Sequence, residues 1–298
     1  MGKICVVIIL LAGISFSLEY KTKKREIIKN YIHNVLVYLE EEEENFSLCI
    51  PIPPEINGQK ILRLKIKPMP DKELKIEGQR YILYRKRIKP HKEYIFTWKA
   101  TIETQPMQFI MIDPKKVGRL NEIPLSIAHQ FTISSDMYSM ESEIVKMAAK
   151  EAVGNEKNPY LMIAKIDKYV RNNMRFLHDG MWDNAEVLLK KKMGSCSEYA
   201  ILFSALCRLN RIPTRLVANT GHRWKQVYIP RYGWVTMESP GNGEIFTGGS
   251  LIIQMQGVRN EYLYDGWDYR SSFKLDKEWR GPTRWGNSYV IETIEEKD

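Results

Sequence analysis

The sequence predicts an α+β protein in which an antiparallel β-sandwich precedes a domain that combines helices with a second antiparallel sheet. Between Tyr31 and Phe131, short apolar or alternating runs are separated by Pro, Gly, Asp and Asn, a spacing typical of strands and turns. After Ser139, apolar residues recur every three or four positions, which is typical of helices. This change of period predicts a domain boundary within residues 132–138.

Length and composition limit the classes of protein that this chain can belong to. Its 298 residues are enough for two domains, and 44% hydrophobic with 11% aromatic residues exclude a disordered chain. The net charge of +9 comes from basic clusters that acidic stretches separate. Nucleic-acid-binding proteins more often carry one dense basic stripe, so we expect a solvated basic surface and no nucleic-acid partner.

The N-terminus has the pattern of a secretory signal peptide. Lys3 precedes an apolar run, Ile4–Ile14, and Ser15-Phe16-Ser17 follows it, with small residues on either side of Phe16. The run is shorter than the roughly 20 residues of a spanning helix. The basic cluster Lys21–Arg25 opposes export, so an uncleaved anchor and a buried first strand stay open as alternatives. We expect a signal peptide at 1–17, a β-sandwich at 18–135, a second domain at 136–298, and a secreted or extracytoplasmic location.

The expected strands and helices follow the two periods. In the first domain the strands are expected at Tyr31–Leu39, Phe46–Ile52, Ile61–Ile66, Gln79–Arg87, Glu93–Thr104 and Met107–Ile112. In the second domain, one helix is expected around residues 144–152, ending at Gly154, and another over Pro159–Met174.

The four cysteines are too few for a disulfide scaffold, and their spacing fits no zinc site. We therefore expect no metal and no cofactor. Cys207 is expected to fill the core, although a disulfide between Cys49 and Cys207 stays open in an oxidising compartment.

The segment after Gly194 predicts a buried helix that begins with a cysteine. Ser195 and Glu198 stand in the spacing of a capping box, which makes Cys196 the first helical residue. The run that follows is apolar on almost every side, so the helix must be buried. The free amides and the dipole of a helix N-terminus favour an anion, and a thiol there can have its pKa lowered from about 8.5 to roughly 3.5–7.5. Cys196 is a candidate nucleophile, with a small buried residue as the alternative.

A predicted hairpin follows the helix and carries the other two candidate residues. Two β-rich runs, beginning at His222 and at Trp234, flank a Pro/Gly turn. Alternation places four side chains on one face, those of His222, Trp224, Gln226 and Tyr228. The return strand brings Glu238 near the position opposite His222. A carboxylate there could accept the imidazole N–H and fix its tautomer.

At these residues the sequence resembles the transglutaminase-like superfamily, which has a papain-like thiol fold. The resemblance covers about residues 145–245, and a β-sandwich precedes this domain in many prokaryotic members. It implies that Cys196 is the nucleophile and His222 the base. The matching motifs are Gly194-x-Cys196, Leu202–Leu206, Ile212-Pro213-Thr214-Arg215, His222-x-Trp224-x-Gln226-Val227 and Gly233-Trp234.

Two positions depart from the family's pattern. Glu238 stands where Asp is usual, so the orienting carboxylate is one methylene longer, and Gln226 replaces the usual Glu. Neither change removes the nucleophile or the base.

The function that the resemblance implies is an exported Cys-His-Glu thiol enzyme that forms an acyl-enzyme from an amide or peptide bond. Hydrolysis, as a peptidase or amidase, is favoured because no dedicated amine site is visible. A protein-glutamine cross-linking acyltransferase and a non-catalytic peptide-binding module are the alternatives. The expected partner is a protein or peptide substrate, association with the cell envelope is open, and the sequence does not predict the oligomeric state.

Overall fold

The fold was taken from a computed structural model. It describes residues 27–55, 58–76, 79–106, 108–177, 183–218, 223–238, 243, 245–247, 254–255, 273–274 and 289–297. The predicted signal peptide lies outside the described residues.

The N-terminal part of the chain is a sandwich of two four-stranded antiparallel sheets. The strands are β1 (Ile27–Tyr38), β2 (Glu43–Ile52), β3 (Gln59–Lys67), β4 (Lys72–Ile76), β5 (Gln79–Ile88) and β6 (Glu93–Thr104), with β15 (Phe273–Lys274) and β16 (Tyr289–Lys297) from the end of the chain. One sheet has the order β16-β1-β6-β3 and the other β15-β2-β5-β4.

Alternate residues of both sheets fill one shared core. Val35 and Trp98 contribute from one sheet, and Ile50 and Tyr84 from the other, all of them at most 2% exposed. The indole N–H of Trp98 crosses the sandwich and donates to the carbonyl oxygen of Pro51 at 3.0 Å. A buried Trp needs such an acceptor, so this bond fixes how the two sheets face each other.

Among the described strands, the last pairs with the first. β16 pairs antiparallel with β1 from Asn30–Lys297 to Tyr38–Tyr289. The sequence prediction placed residues 136–298 in the second domain, whereas by pairing β16 belongs to the N-terminal sheet. The predicted boundaries near residues 17 and 135 stay predictions.

The second part of the chain packs helices on a six-stranded antiparallel sheet. Its helices are α1 (Leu125–Phe131), α2 (Glu143–Val153), α3 (Pro159–Asn173), α4 (Ala185–Lys191) and α5 (Cys196–Leu209). The sheet has the order β14-β10-β11-β12-β13-β7, made of β7 (Gln108–Phe109), β10 (Thr214–Ala218), β11 (Arg223–Ile229), β12 (Gly233–Met237), β13 (Ile245–Thr247) and β14 (Gln254–Met255). A parallel pair, β8 (Arg175–Phe176) and β9 (Met193–Gly194), precedes α5. The predicted α+β class is confirmed.

Local signals explain where the two predicted helices begin and end. α2 ends at Gly154, whose φ of 58° suits glycine, and the N–H of Gly154 donates to the carbonyl of Lys150. α3 begins with Pro159 at its first position, and the side chain of Asn158 accepts from the N–H groups of Tyr160 and Leu161. Both predicted helices are confirmed. The sequence does not predict helices α1 and α4, nor several of the strands, among them β4, β10 and β16. Within the described part of the chain, none of the helices combines the length and the apolar character that crossing a membrane requires.

Candidate active site

The capped N-terminus of α5 is the centre of the candidate site. Ser195 precedes the helix in an extended conformation, and the Glu198 carboxylate accepts from its backbone N–H at 2.8 Å and from its hydroxyl. The predicted capping box is confirmed. Cys196 is therefore the first helical residue, and its residue surface is 8% exposed in an otherwise buried helix.

Gly194 is required by the close approach of this cap. A Cβ atom built on Gly194 would lie 2.4 Å from the Cβ atom of Glu198, a distance that no side chain can accept. The glycine two residues before Cys196 therefore lets the strand β9 run against the capping glutamate. On the next residue of the helix, the Tyr199 hydroxyl donates to the carbonyl of Met174 at 2.7 Å and ties the first turn to the end of α3.

The predicted hairpin is formed by β11 and β12. Lys225 pairs with Met237 at the open end of the hairpin, so the next residue, Glu238, lies opposite Trp224. The indole N–H of Trp224 donates to Oε2 of the half-buried Glu238 at 3.3 Å. His222 directly precedes Arg223, the first residue of β11, and lies outside the described residues.

The side chains of β11 alternate between two faces, as the sequence predicts for the described positions. On one face Gln226 donates to Thr236 and Tyr228 contacts the ring of Trp234, just as Trp224 contacts Glu238. The other face belongs to the core beneath α5, where Val227 and Ile229 are fully buried.

Comparison with known protein families gives a match within this part of the chain. Residues 146–239 match the transglutaminase-like superfamily. Residues 146–239 are a transglutaminase-like domain. No curated protein matches the sequence significantly.

Solved structures extend the comparison to the fold of most of the chain. A putative cysteine protease from Cytophaga hutchinsonii is similar with a TM-score of 0.57 and 17% identity, covering 91% of this chain and 99% of that one. At this identity the likeness concerns the fold alone. A putative protease from Parabacteroides distasonis has a TM-score of 0.30 and 11% identity, with 77% and 48% of the two chains covered, which is too distant for an argument.

Gln226 has a definite role in the transglutaminase-like domain although it replaces the family's usual Glu. Its side-chain oxygen accepts from Nε of the buried Arg215 at 2.8 Å, and its amide donates to the Thr236 hydroxyl at 3.1 Å. The Arg215 guanidinium also stacks on Trp234, with 4.0 Å to the ring centre. Burial lowers the pKa of Arg215 to about 9, because a neutral amide offsets little of the cost of removing this cation from water.

A buried ion pair that the sequence does not predict lies beneath α5. Nζ of Lys225 lies 2.8 Å from the Asp167 carboxylate, and both side chains are at most 2% exposed. Arg171 also donates to Asp167, and the Lys225 ammonium lies 4.7 Å from the ring centre of Phe203. The pair joins α3 to β11, the strand that begins directly after His222. Its two members lie far apart in the sequence, and only the parity of Lys225 with the buried Val227 could have suggested it.

Cys207 occupies the core, as the sequence predicts. It is a free thiol with no exposed surface, so it does not form the alternative disulfide with Cys49. Burial raises the pKa of the Cys207 thiol well above its usual value, and the nearby positive charge of Lys225 offsets this only in part.

Proposed function

We propose that this chain is a thiol enzyme that opens amide or peptide bonds and transfers the acyl group to water. The observation that carries the proposal is the position of Cys196, at the capped N-terminus of a buried helix in a transglutaminase-like domain. The helix dipole and the free backbone amides at this end of α5 favour the thiolate, which is the nucleophilic form of cysteine. The fold likeness to a protein described as a cysteine protease supports the same class.

In the proposed reaction, His222 takes the proton of the Cys196 thiol as the sulfur attacks the carbonyl carbon. The tetrahedral intermediate collapses to a thioester, and the C–N bond breaks as His222 returns the proton to the leaving amine. Water then attacks the thioester, again with His222 as base, which releases the acid and restores the thiol. We assign the backbone N–H of Cys196 as one donor to the intermediate's oxyanion.

Glu238 is proposed to hold the imidazole of His222. The N–H of Trp224 fixes one carboxylate oxygen, Oε2, on the first residue after β12. In the proposed arrangement the carboxylate accepts the imidazole N–H, which would set the tautomer that leaves the second ring nitrogen facing the thiol. The indole contact supports this role because it restricts the side chain that is one methylene longer than the usual Asp.

Export is a separate proposal that rests on the pattern of residues 1–17. The expected product begins after Ser17 and reaches the cell envelope or the medium, where its partner is a protein or peptide. Mass spectrometry of the protein recovered from fractionated cells tests this directly. A chain recovered intact from the cytoplasm would contradict it.

The proposed reaction is tested with a peptide library that contains both glutamine and lysine. We expect the full-length protein to generate new peptide termini or free acids, and the Cys196→Ala variant to generate none. Products that join a glutamine to a lysine would instead assign an acyltransferase. Binding of peptides without any product, equal in both proteins, would assign a non-catalytic module. Cys207→Ala serves as the matched control, since it removes a thiol from the same helix.

A further inference from the structure

A positively charged groove lies at the far end of α5 from Cys196. Its main part is a cavity of about 590 Å³, and a second cavity of about 410 Å³ adjoins it and shares Leu120, Lys157 and Arg211 with it. Among the described residues, no carboxylate lines the larger cavity. We call these two cavities the basic groove; its cationic lining consists of Lys115, Arg119, Lys146, Lys150, Lys157 and Arg211.

The cations of the basic groove come from separate segments of the chain and are mostly unpaired. Lys146 forms an ion pair with Glu143 at 2.9 Å. The other five are exposed, and none of them forms an ion pair with another described residue. They belong to the turns before α1, to α2, to the loop before α3 and to the end of α5. Folding therefore gathers like charges in one place, and an anion in the groove would relieve their mutual repulsion.

Glu156 lines the smaller cavity of the basic groove, and this carboxylate and those of Asp113 and Glu122 are engaged in other contacts. Asp113, Glu122 and Glu156 each accept from backbone N–H groups at the start of a turn. Glu122 also pairs with Arg231 at 2.8 Å, and Glu156 lies 3.6 Å from Lys165. The protein's own acidic groups therefore leave the excess positive charge of the groove in place.

Hydrogen bonds between segments hold the frame of the groove. The Asn158 side chain, which caps α3, also donates to the carbonyl of Pro114 at 2.8 Å. At the other side, Asn210 donates to the carbonyl of Ala149 at 3.0 Å. Arg211 follows with a φ of 61°, a left-handed conformation that is costly for a residue with a side chain. Glycine would be the better residue for the backbone there, so the groove contains an arginine at the expense of local stability.

We propose that the basic groove binds an anionic ligand that carries several phosphate groups. Five unpaired cations exceed what a single carboxylate could neutralise. Arginine guanidinium groups form paired hydrogen bonds with phosphate oxygens, while lysines supply point charges at variable distance. α5 is 14 residues long, so the groove lies about 20 Å from Cys196 and is a second site, separate from the proposed chemistry.

A second groove provides a matched control. It has a volume of about 820 Å³ on the outer face of the N-terminal sheet and contains Lys65, Lys67 and Lys99. Two of these lysines lie on β3, an edge strand of its sheet, where lysines prevent edge-to-edge association. That groove needs no ligand to explain its charge, so Lys65→Gln removes one groove lysine without touching the proposed site.

The proposal is tested by calorimetric titration of the full-length protein with tripolyphosphate at low and at moderate salt. We expect one tripolyphosphate per chain, with an affinity that falls as salt rises. Arg211→Gly and Lys157→Gln should each weaken binding by about fivefold or more, since each removes a charge-assisted contact. Lys65→Gln should change it by less than about twofold, and Arg211→Gly should not lower the melting temperature.

Three results would overturn the proposal. The first is no saturable binding of tripolyphosphate. The second is equal weakening by Lys65→Gln and Lys157→Gln, which would mean general attraction to a basic protein. The third is a tricarboxylate, citrate, that binds as tightly as tripolyphosphate, which would remove the assignment to phosphate.

Discussion

The two cysteines of α5 lie on the same buried helix, but only one of them is expected to react as a nucleophile. Cys196 lies at the first position of the helix, at the positive end of the helix dipole, and its residue surface is 8% exposed. Cys207 lies three turns later with no exposed surface, and burial raises the pKa of its thiol. The position along the helix, rather than the residue type, therefore decides which thiol can become a nucleophile.

The largest effect on activity is expected when Cys196 is replaced by alanine, with the same replacement at Cys207 as the comparison. Cys196→Ala should lower kcat/KM by at least about a thousandfold, or about 4 kcal/mol, because the acyl-enzyme cannot form. Cys207→Ala should leave kcat/KM within about twofold while lowering the free energy of unfolding by about 1 kcal/mol through lost packing. Steady-state kinetics with a cleaved peptide and urea denaturation measure both. Comparable losses of activity in both variants would show that the position along the helix does not decide which thiol is the nucleophile.

Lys225→Met tests how much the buried ion pair with Asp167 stabilises the fold beneath α5. Removal of the ammonium leaves the Asp167 carboxylate buried with only Arg171 as a cationic partner. We expect the free energy of unfolding to fall by about 3 kcal/mol, as when one member of a buried pair is removed. Urea denaturation provides the measurement, and Lys168→Met, on the exposed side of α3, is the control. An unchanged free energy of unfolding would show that the pair contributes little.

Substitutions of Glu238 test whether its carboxylate orients the imidazole of His222 toward Cys196. Glu238→Gln should keep the fold and lower kcat by about a hundredfold, because an amide can present its NH2 group to the ring and favour the wrong tautomer. Glu238→Asp should lose less, since a carboxylate remains. Trp224→Phe removes the N–H that holds Oε2 and should shift the pH profile more than KM. If the Gln and Asp variants both match the wild type within about twofold, Glu238 does not orient the base.

The smallest expected effect concerns Gln226→Glu beside Arg215. The new carboxylate would pair with a cation that is already buried and could accept from the Thr236 hydroxyl, so we expect a gain of about 1.5 kcal/mol in the free energy of unfolding at pH 7. Burial lowers the pKa of Arg215 to about 9 in the wild type. The unfolded chain therefore holds more protons above that pH, and wild-type folding becomes more favourable as pH rises. The advantage of the variant should shrink above about pH 9.

Urea denaturation of both proteins at pH 7, 8, 9 and 10 checks this prediction. The advantage of the variant should also fall at low pH, as the new carboxylate takes up a proton. A variant that is less stable than the wild type at pH 7 would mean that burying the carboxylate costs more than its attraction to Arg215 returns.

Local patterns in the sequence predict much of this arrangement. The spacing of Ser195 and Glu198 predicts the first residue of α5, and alternation predicts the hairpin and the common face of Trp224 and Gln226. Each of these signals acts over a few residues, which is why it can be read without a structure.

Long-range partners could not be predicted in the same way. Lys225 has the parity of the buried Val227, but nothing near it in the sequence indicates the carboxylate that permits its burial, which Asp167 of α3 supplies. The pairing of β16 with β1 joins the two ends of the chain, and nothing in either strand specifies that partner. The basic groove likewise exists only because folding brings separate segments together.

The reactivity of Cys196 relative to Cys207 is the most direct test of the account. The full-length protein is alkylated with iodoacetamide from pH 5 to 10, and mass spectrometry measures the rate at each cysteine. We expect the rate at Cys196 to reach half of its maximum at a pH well below the usual thiol value of about 8.5, and Cys207 to stay unlabelled in the folded protein. A rate at Cys196 that rises only near pH 8.5, like that of a free thiol, would contradict the proposed nucleophile.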